Sequence, residues 1–160
     1  MENVITRFYK AFNNLDAETM VSCYHDDIVF EDPAFGVLKG NRAKNMWRML
    51  CESQKDKDFH IIYSKIKTSE DKGFASWEAF YTFSKTGRKV HNVIEANFEF
   101  KDGKVIKHID TFNLYKWSKQ ALGLKGYLLG HTSFFKNKLQ IQTNSLLNKF
   151  EKKKSKANTF

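Results

Sequence analysis

From residue 59 onward the hydrophobic pattern switches to a period of two and holds it to about residue 116. No other feature constrains the fold as much. Such alternation marks strands with one covered face. It is divided by Asp71-Lys72-Gly73, Thr86-Gly87 and Asp102-Gly103, all of them hairpin chemistry. The implied strands run over 59–69, 74–84, 89–100 and 105–116. Turns this short make the run an antiparallel meander.

The chain before residue 59 reads as helical. Val4, Ile5, Phe8, Tyr9 and Phe12 recur at helical spacing, which predicts a helix ending near Asn13-Asn14. Asp16 is placed to cap a short second helix carrying Met20, Val21 and Tyr24. Ile28–Asp32 reads as a strand, with a turn at Pro33–Gly36 and a short return at Val37–Lys39. Asn41 is placed to cap a third helix, with Ala43, Met46, Trp47, Leu50 and Cys51 on one stripe. Three helices followed by a meander define an α+β class. The 160 residues suit one core, and 41% apolar residues with 15 Phe exclude a disordered composition. Residues 118–130 and 132–150 read as helices added after the sheet.

The net charge of +9 is uneven. Residues 136–160 hold seven lysines and one acid, Glu151, so that segment carries +6. The tail has no arginine and no aromatic residue between Phe150 and Phe160, which argues against a nucleic-acid footprint. It is expected to be a solvated, disordered end over 151–160, with contact to an anionic membrane as the alternative. No apolar run approaches the roughly 20 residues of a membrane span. Cys23 and Cys51 make no CxxC, and both fall on apolar helix stripes as core thiols. A cytoplasmic protein is the expectation.

The last hairpin decides which side chains face inward. A two-residue Asp102-Gly103 loop would set Phe98 against Lys107 and mix charged with apolar residues on both faces. A three-residue loop, 101–103, sorts them. It predicts the pairs Phe98–Ile106, Ala96–His108, Ile94–Asp110 and Asn92–Phe112 on the covered face. His108 and Asp110, two residues apart, then point into an apolar interior. Trp77, Tyr81 and Phe83 share one parity on the neighbouring strand and line the same side. A buried carboxylate must be paired, hydrogen-bonded or protonated. Asp110 is therefore either satisfied within the core by Asn92, Tyr81 or water, or part of a polar cluster at the bottom of a ligand pocket.

The words YHDDIVFEDPAFG (24–36), KGNRAKNMW (39–47), TGRKVHNVIEANFEFKDGKVIKHID (86–110) and DTFNLYKW (110–117), in this order, resemble the nuclear-transport-factor-two-like superfamily. The resemblance is to its SnoaL-like and ketosteroid-isomerase-like branches and covers roughly residues 1–117. It implies a cone of helices on a curved sheet around a central pocket, with residues 118–150 as a helical extension. It also implies a homodimer through the convex face, here Val93, Glu95, Asn97, Lys107, Ile109 and Thr111, and a small apolar or polycyclic organic ligand.

The same resemblance implies site residues. Asp32 occupies the position of the isomerase base, in the word EDPAFG. The two oxyanion donors of that enzyme fall on Phe8 and Ala96, neither of which can donate. Losing one such donor costs about 10²–10³ in rate, which argues against steroid isomerisation. SnoaL-like cyclases use an acid on the final long strand, where Asp110 lies. The resemblance thus implies proton transfer, as isomerase, cyclase or dehydratase, with Asp110 as acid/base, His108 as its partner and Asp32 as a second carboxylate. Trp77, Tyr81, Asn92, Phe112, Phe8 and Tyr24 are the expected ligand-binding residues. The alternative is a non-catalytic ligand-binding or interaction module. Epoxide-hydrolase-like members use an Asp–Arg–Asp set, and none of Arg7, Arg42, Arg48 and Arg88 falls on an inward strand position. The scattered histidines, without HExxH or CxxC, predict no metal, and no nucleotide-binding motif predicts a cofactor.

Overall fold

The computed structural model describes residues 3–157. Helix α1 (Val4–Asn13) is capped by the Asn3 side chain and buries Ile5, Phe8, Tyr9 and Phe12. Asp16 caps α2 (Ala17–Ser22) through the Thr19 amide, as its position predicts. Strand β1 (Tyr24–Asp32) starts four residues earlier than expected, which moves Tyr24 from the end of a helix into the sheet. β2 (Gly36–Lys39) returns beside it. α3 (Asn41–Gln54) begins after Gly40, whose positive φ of 53° ends the strand, so Asn41 is the first helical residue and not the cap.

The meander follows as β3 (His60–Thr68), β4 (Lys72–Phe83), β5 (Arg88–Lys101) and β6 (Lys104–Thr111). The six strands form one curved sheet in the order β2-β1-β6-β5-β4-β3. All pairs are antiparallel except β1 with β6, which run parallel.

The β5–β6 hairpin solves its patterning problem differently from the expected three-residue loop. Lys101 pairs with Lys104, so the loop is the two-residue Asp102-Gly103. Both loop residues have positive φ, 52° and 72°, as a primed hairpin turn requires. The ladder then slips by one residue, leaving Ile106 as the extra residue of a bulge. Beyond it Phe98 pairs with His108 and Ala96 with Asp110, two residues away from the expected partners. A two-residue difference keeps the side chains beyond the bulge on their expected faces, so His108 and Asp110 do point inward, while Val105 before the bulge turns into the core and not outward.

β6 stops at Thr111 because Asn113 caps a helix, α4 (Leu114–Leu122), through the Lys116 amide. The strand expected to reach residue 116 therefore ends five residues earlier. Without β6 beside it, the first half of β5 is closed by α4. The Gln120 side chain accepts from the His91 amide at 2.8 Å and donates to its carbonyl at 3.0 Å, in place of a strand. On the outer sheet face, where a dimer contact is expected, Val93 is 47% exposed and Ile62 51%.

α5 (Leu124–Leu129) and α6 (Ser133–Ala157) complete the chain. α6 buries Leu147 in the main core and binds Arg42 and Asn45 through Glu151. Residues 151–157, expected as a disordered tail, continue this helix, and residues 158–160 lie outside the described residues. No described helix is long and apolar enough to cross a membrane.

Candidate functional site

A buried polar chain crosses the core from α3 to the sheet. Trp47 Nε1 donates to Tyr24 Oη at 2.8 Å. Tyr24 Oη lies 2.6 Å from His108 Nδ1, and His108 Nε2 lies 2.9 Å from Asp110 Oδ1. Trp77 Nε1 donates to the same Oδ1 at 3.2 Å. The donors order the protons. Trp47 occupies an acceptor site of Tyr24, so the phenol proton is free for Nδ1. His108 then carries its hydrogen on Nε2 and gives it to the carboxylate. An acceptor-only carboxylate suits both N–H groups meeting at Oδ1.

His108 is fully buried, ringed by Phe98 at 4.3 Å between centroids, Phe30 at 5.2 Å, Phe8 at 5.6 Å and Trp47 at 6.0 Å. Phe8 and Tyr24, expected as ligand-binding residues, are fully buried behind the imidazole and form part of this aromatic fill. The reason for Tyr24 is the early start of β1, which aligns it with Val105 at the edge of β6.

At Asp110, Oδ1 takes both donors, and among the described residues Oδ2 takes none. Asp32, Tyr81, Asn92 and Phe112, all inward on the same side, are each half-buried. Asn92 sits opposite Ala79 and does not supply Asp110 with a hydrogen bond, since Trp77 and His108 do. Tyr81 Oη is held by Trp117 Nε1 of α4 at 2.7 Å. Two surface concavities of about 570 and 260 Å³ lie away from the cluster, and neither is lined by Asp32, His108 or Asp110.

Asp32 serves two ends. Its Oδ1 accepts from the Phe35 amide at 2.6 Å and the Ala34 amide at 2.9 Å, which folds the turn after Pro33. Yet its carboxyl is raised to about 7. Burial is the main cause, the Phe35 and Ala34 amides oppose it, and the charges of Asp110 and Glu31 add to it. The residue keeps some exposure while its carboxyl is enclosed by protein. α6 braces this turn from outside: Gln140, Thr143 and Asn144 donate to the carbonyls of Pro33, Ala34 and Phe35 at 3.2, 2.8 and 2.9 Å.

Tyr9 is not among the expected site residues, although it lies on the same apolar run as Phe8. α1 buries both, because its covered stripe is wide. Tyr9 is fully buried, and among the described residues its hydroxyl has no hydrogen-bond partner. Burial, then the charge of Asp110, raises its pKa well above the ordinary tyrosine value, so the phenol keeps its proton. An inward Tyr one residue from the predicted donor position was the available signal.

The SnoaL-like domain profile matches residues 5–108. The chain belongs to this family. No functionally curated protein matches it. Among solved structures it is similar to an LEH-like epoxide hydrolase of M. tuberculosis, with 21% identity, 79% of this chain and 88% of that one covered, and a TM-score of 0.58. It is also similar to TerC co-crystallised with polyporic acid, at 16% identity, coverage of 73% and 94%, and a TM-score of 0.62. An NTF2-like protein of unknown function from Burkholderia pseudomallei aligns at 13% identity, coverage of 76% and 99%, and a TM-score of 0.64. These likenesses establish the fold of the nuclear-transport-factor-two-like superfamily. Within this SnoaL-like chain no arginine enters the polar cluster. Arg7 binds Ser22 and Cys23, Arg42 binds Glu151, Arg48 binds Glu18 and Arg88 binds the Gln120 carbonyl.

Proposed function

We propose that the protein moves a proton on a small, largely apolar organic molecule, as an isomerase, cyclase or dehydratase. One observation carries the reading: Asp110 spends one carboxylate oxygen on two fixed N–H donors and leaves the other without a donor among the described residues. Trp77 and His108 orient the base, and Tyr24 fixes the His108 tautomer. Asp32, raised to about 7, is available as the acid at neutral pH. Two carboxyl groups with environments this different suit the two halves of a proton transfer. The unpartnered Tyr9 hydroxyl adds a donor that stays protonated. Ala96, which stands where a steroid isomerase would carry its acidic donor, pairs across the sheet with Asp110. The carboxylate is thus present on the neighbouring strand, and the substrate would sit in a different orientation.

Nitrobenzisoxazole tests the base without knowledge of the natural substrate. A carboxylate takes its ring C–H proton, the N–O bond breaks, and a coloured cyanophenolate forms. Asp110→Asn keeps an oxygen acceptor for Trp77 and His108 and removes the basicity. The wild-type protein is expected to exceed this variant by about 10²–10⁴ in rate. Equal rates would remove Asp110 from the role of base. They would favour the non-catalytic binding module, which the close ring packing around His108 also suits.

A further inference from the structure

α5 points its apolar side chains away from the protein, and two glycines are the cause. Gly126 and Gly130, one helical turn apart, press the helix onto Ser118 of α4. A Cβ at Gly126 would overlap the Ser118 carbonyl, and one at Gly130 would overlap its hydroxyl. The contact is sealed by Ser118 Oγ donating to the Gly126 carbonyl at 3.2 Å. With the glycine face inward, Leu124 is 73% exposed, Leu128 58% and Leu129 50%. Phe134 and Ile141 continue the pattern on α6, at 67% and 71% exposure, while Leu147 on the opposite stripe is buried.

The charge within this segment has one sign. From Thr111 to Phe150 the sequence has six lysines and no Asp or Glu. Lys125, Lys136 and Lys138 are exposed between the apolar side chains, and Lys138 Nζ lies 5.8 Å from the centre of the Phe134 ring. An apolar face set among lysines, with no acid for forty residues, complements a surface that is apolar below and anionic above.

We propose that α5 and the first half of α6 dock on an anionic lipid surface. The leucines and Phe134 enter the boundary between head groups and acyl chains, and the lysines meet the phosphates. This places the contact on a folded face and not in the terminal lysine run. A second copy of the chain is a poorer occupant, because it would set lysine against lysine with no acid in the segment to pair them. Nucleic acid is poorer still: beside Tyr127 and Phe134 the exposed apolar side chains are leucine and isoleucine, which offer no stacking surface, and no arginine follows Arg88.

The test is co-sedimentation of the full chain with phosphatidylcholine vesicles, with and without phosphatidylserine. Binding is expected only with phosphatidylserine, and to weaken as salt is raised. The double variant Leu128→Ser/Leu129→Ser should bind at least about tenfold more weakly at an unchanged thermal midpoint, since both side chains face solvent. Lys136→Gln/Lys138→Gln should weaken binding at low salt and leave the fold intact. Three results would overturn the proposal. They are no binding at low salt, equal binding to both vesicles, or full retention by the leucine variant. Self-association that the leucine variant abolishes, without vesicle binding, would assign the face to a second copy instead.

Discussion

Asp32→Asn is expected to stabilise the protein at pH 8 by about 2–4 kcal/mol over wild type. The sign follows from the direction of the shift. Asp32 is held near 7 in the fold against 3.8 in an open chain, so between these values the folded state binds the extra proton. Wild-type stability therefore falls as pH rises from about 4 to about 7, and the full penalty stands above that. Asparagine never ionises, and its side-chain oxygen can still accept from Ala34 and Phe35 and keep the turn. The lower end of the range reflects the partial exposure of the residue. Urea unfolding of both proteins from pH 4 to pH 8 checks it: the curves should converge at the acid end and separate by pH 7. A pH-independent difference would mean that Asp32 is not raised. A stabilising substitution at a candidate catalytic acid is the pattern of a site that holds an ionisable group against its preference.

His108→Ala is expected to cost about 3–5 kcal/mol. The change opens a cavity between Phe98, Phe30 and Phe8 that α1 cannot collapse without moving the rest of its stripe. It also leaves the Tyr24 hydroxyl without its acceptor and Asp110 with one donor in place of two. His108→Gln should cost less, because it refills part of the space and can donate to Asp110. Urea midpoints at constant m-value measure both. A loss below about 1 kcal/mol for the alanine variant would show that the chain from Trp47 to Asp110 is not holding the core.

The inward faces of the strands were legible because a period of two fixes them, and the observed hairpin differs from the expected one by two residues, which preserves parity. The pairing itself was not legible. A bulge at Ile106 is a local insertion with no composition of its own, and it allows the two-residue turn that simple alternation ruled out. The end of β6 could have been read from Asn113, a helix cap three residues before Lys116. Asp110 and His108 were visible as polar residues at covered positions. Their partners were not, since Trp77 reaches Asp110 from two strands away and Tyr24 reaches His108 across 84 residues. Tyr9 was legible as a covered residue of α1, but that its hydroxyl lacks a partner among the described residues depends on the packing around it. The extent of α6 was obscured by its lysines. Its inner stripe is held largely by Gln140, Thr143, Asn144 and Glu151, which a hydrophobic pattern does not register.

The proposed proton transfer depends on Asp110 facing a raised Asp32. Carbon-13 NMR of the aspartate carboxyl groups, titrated from pH 3 to pH 9 in the wild type and in Asp110→Asn, tests it directly. Asp32 is expected to titrate near 7 in the wild type and at a lower pH in the variant, because the negative charge of Asp110 helps to raise it. An Asp32 midpoint near 4, the same in both proteins, would contradict it.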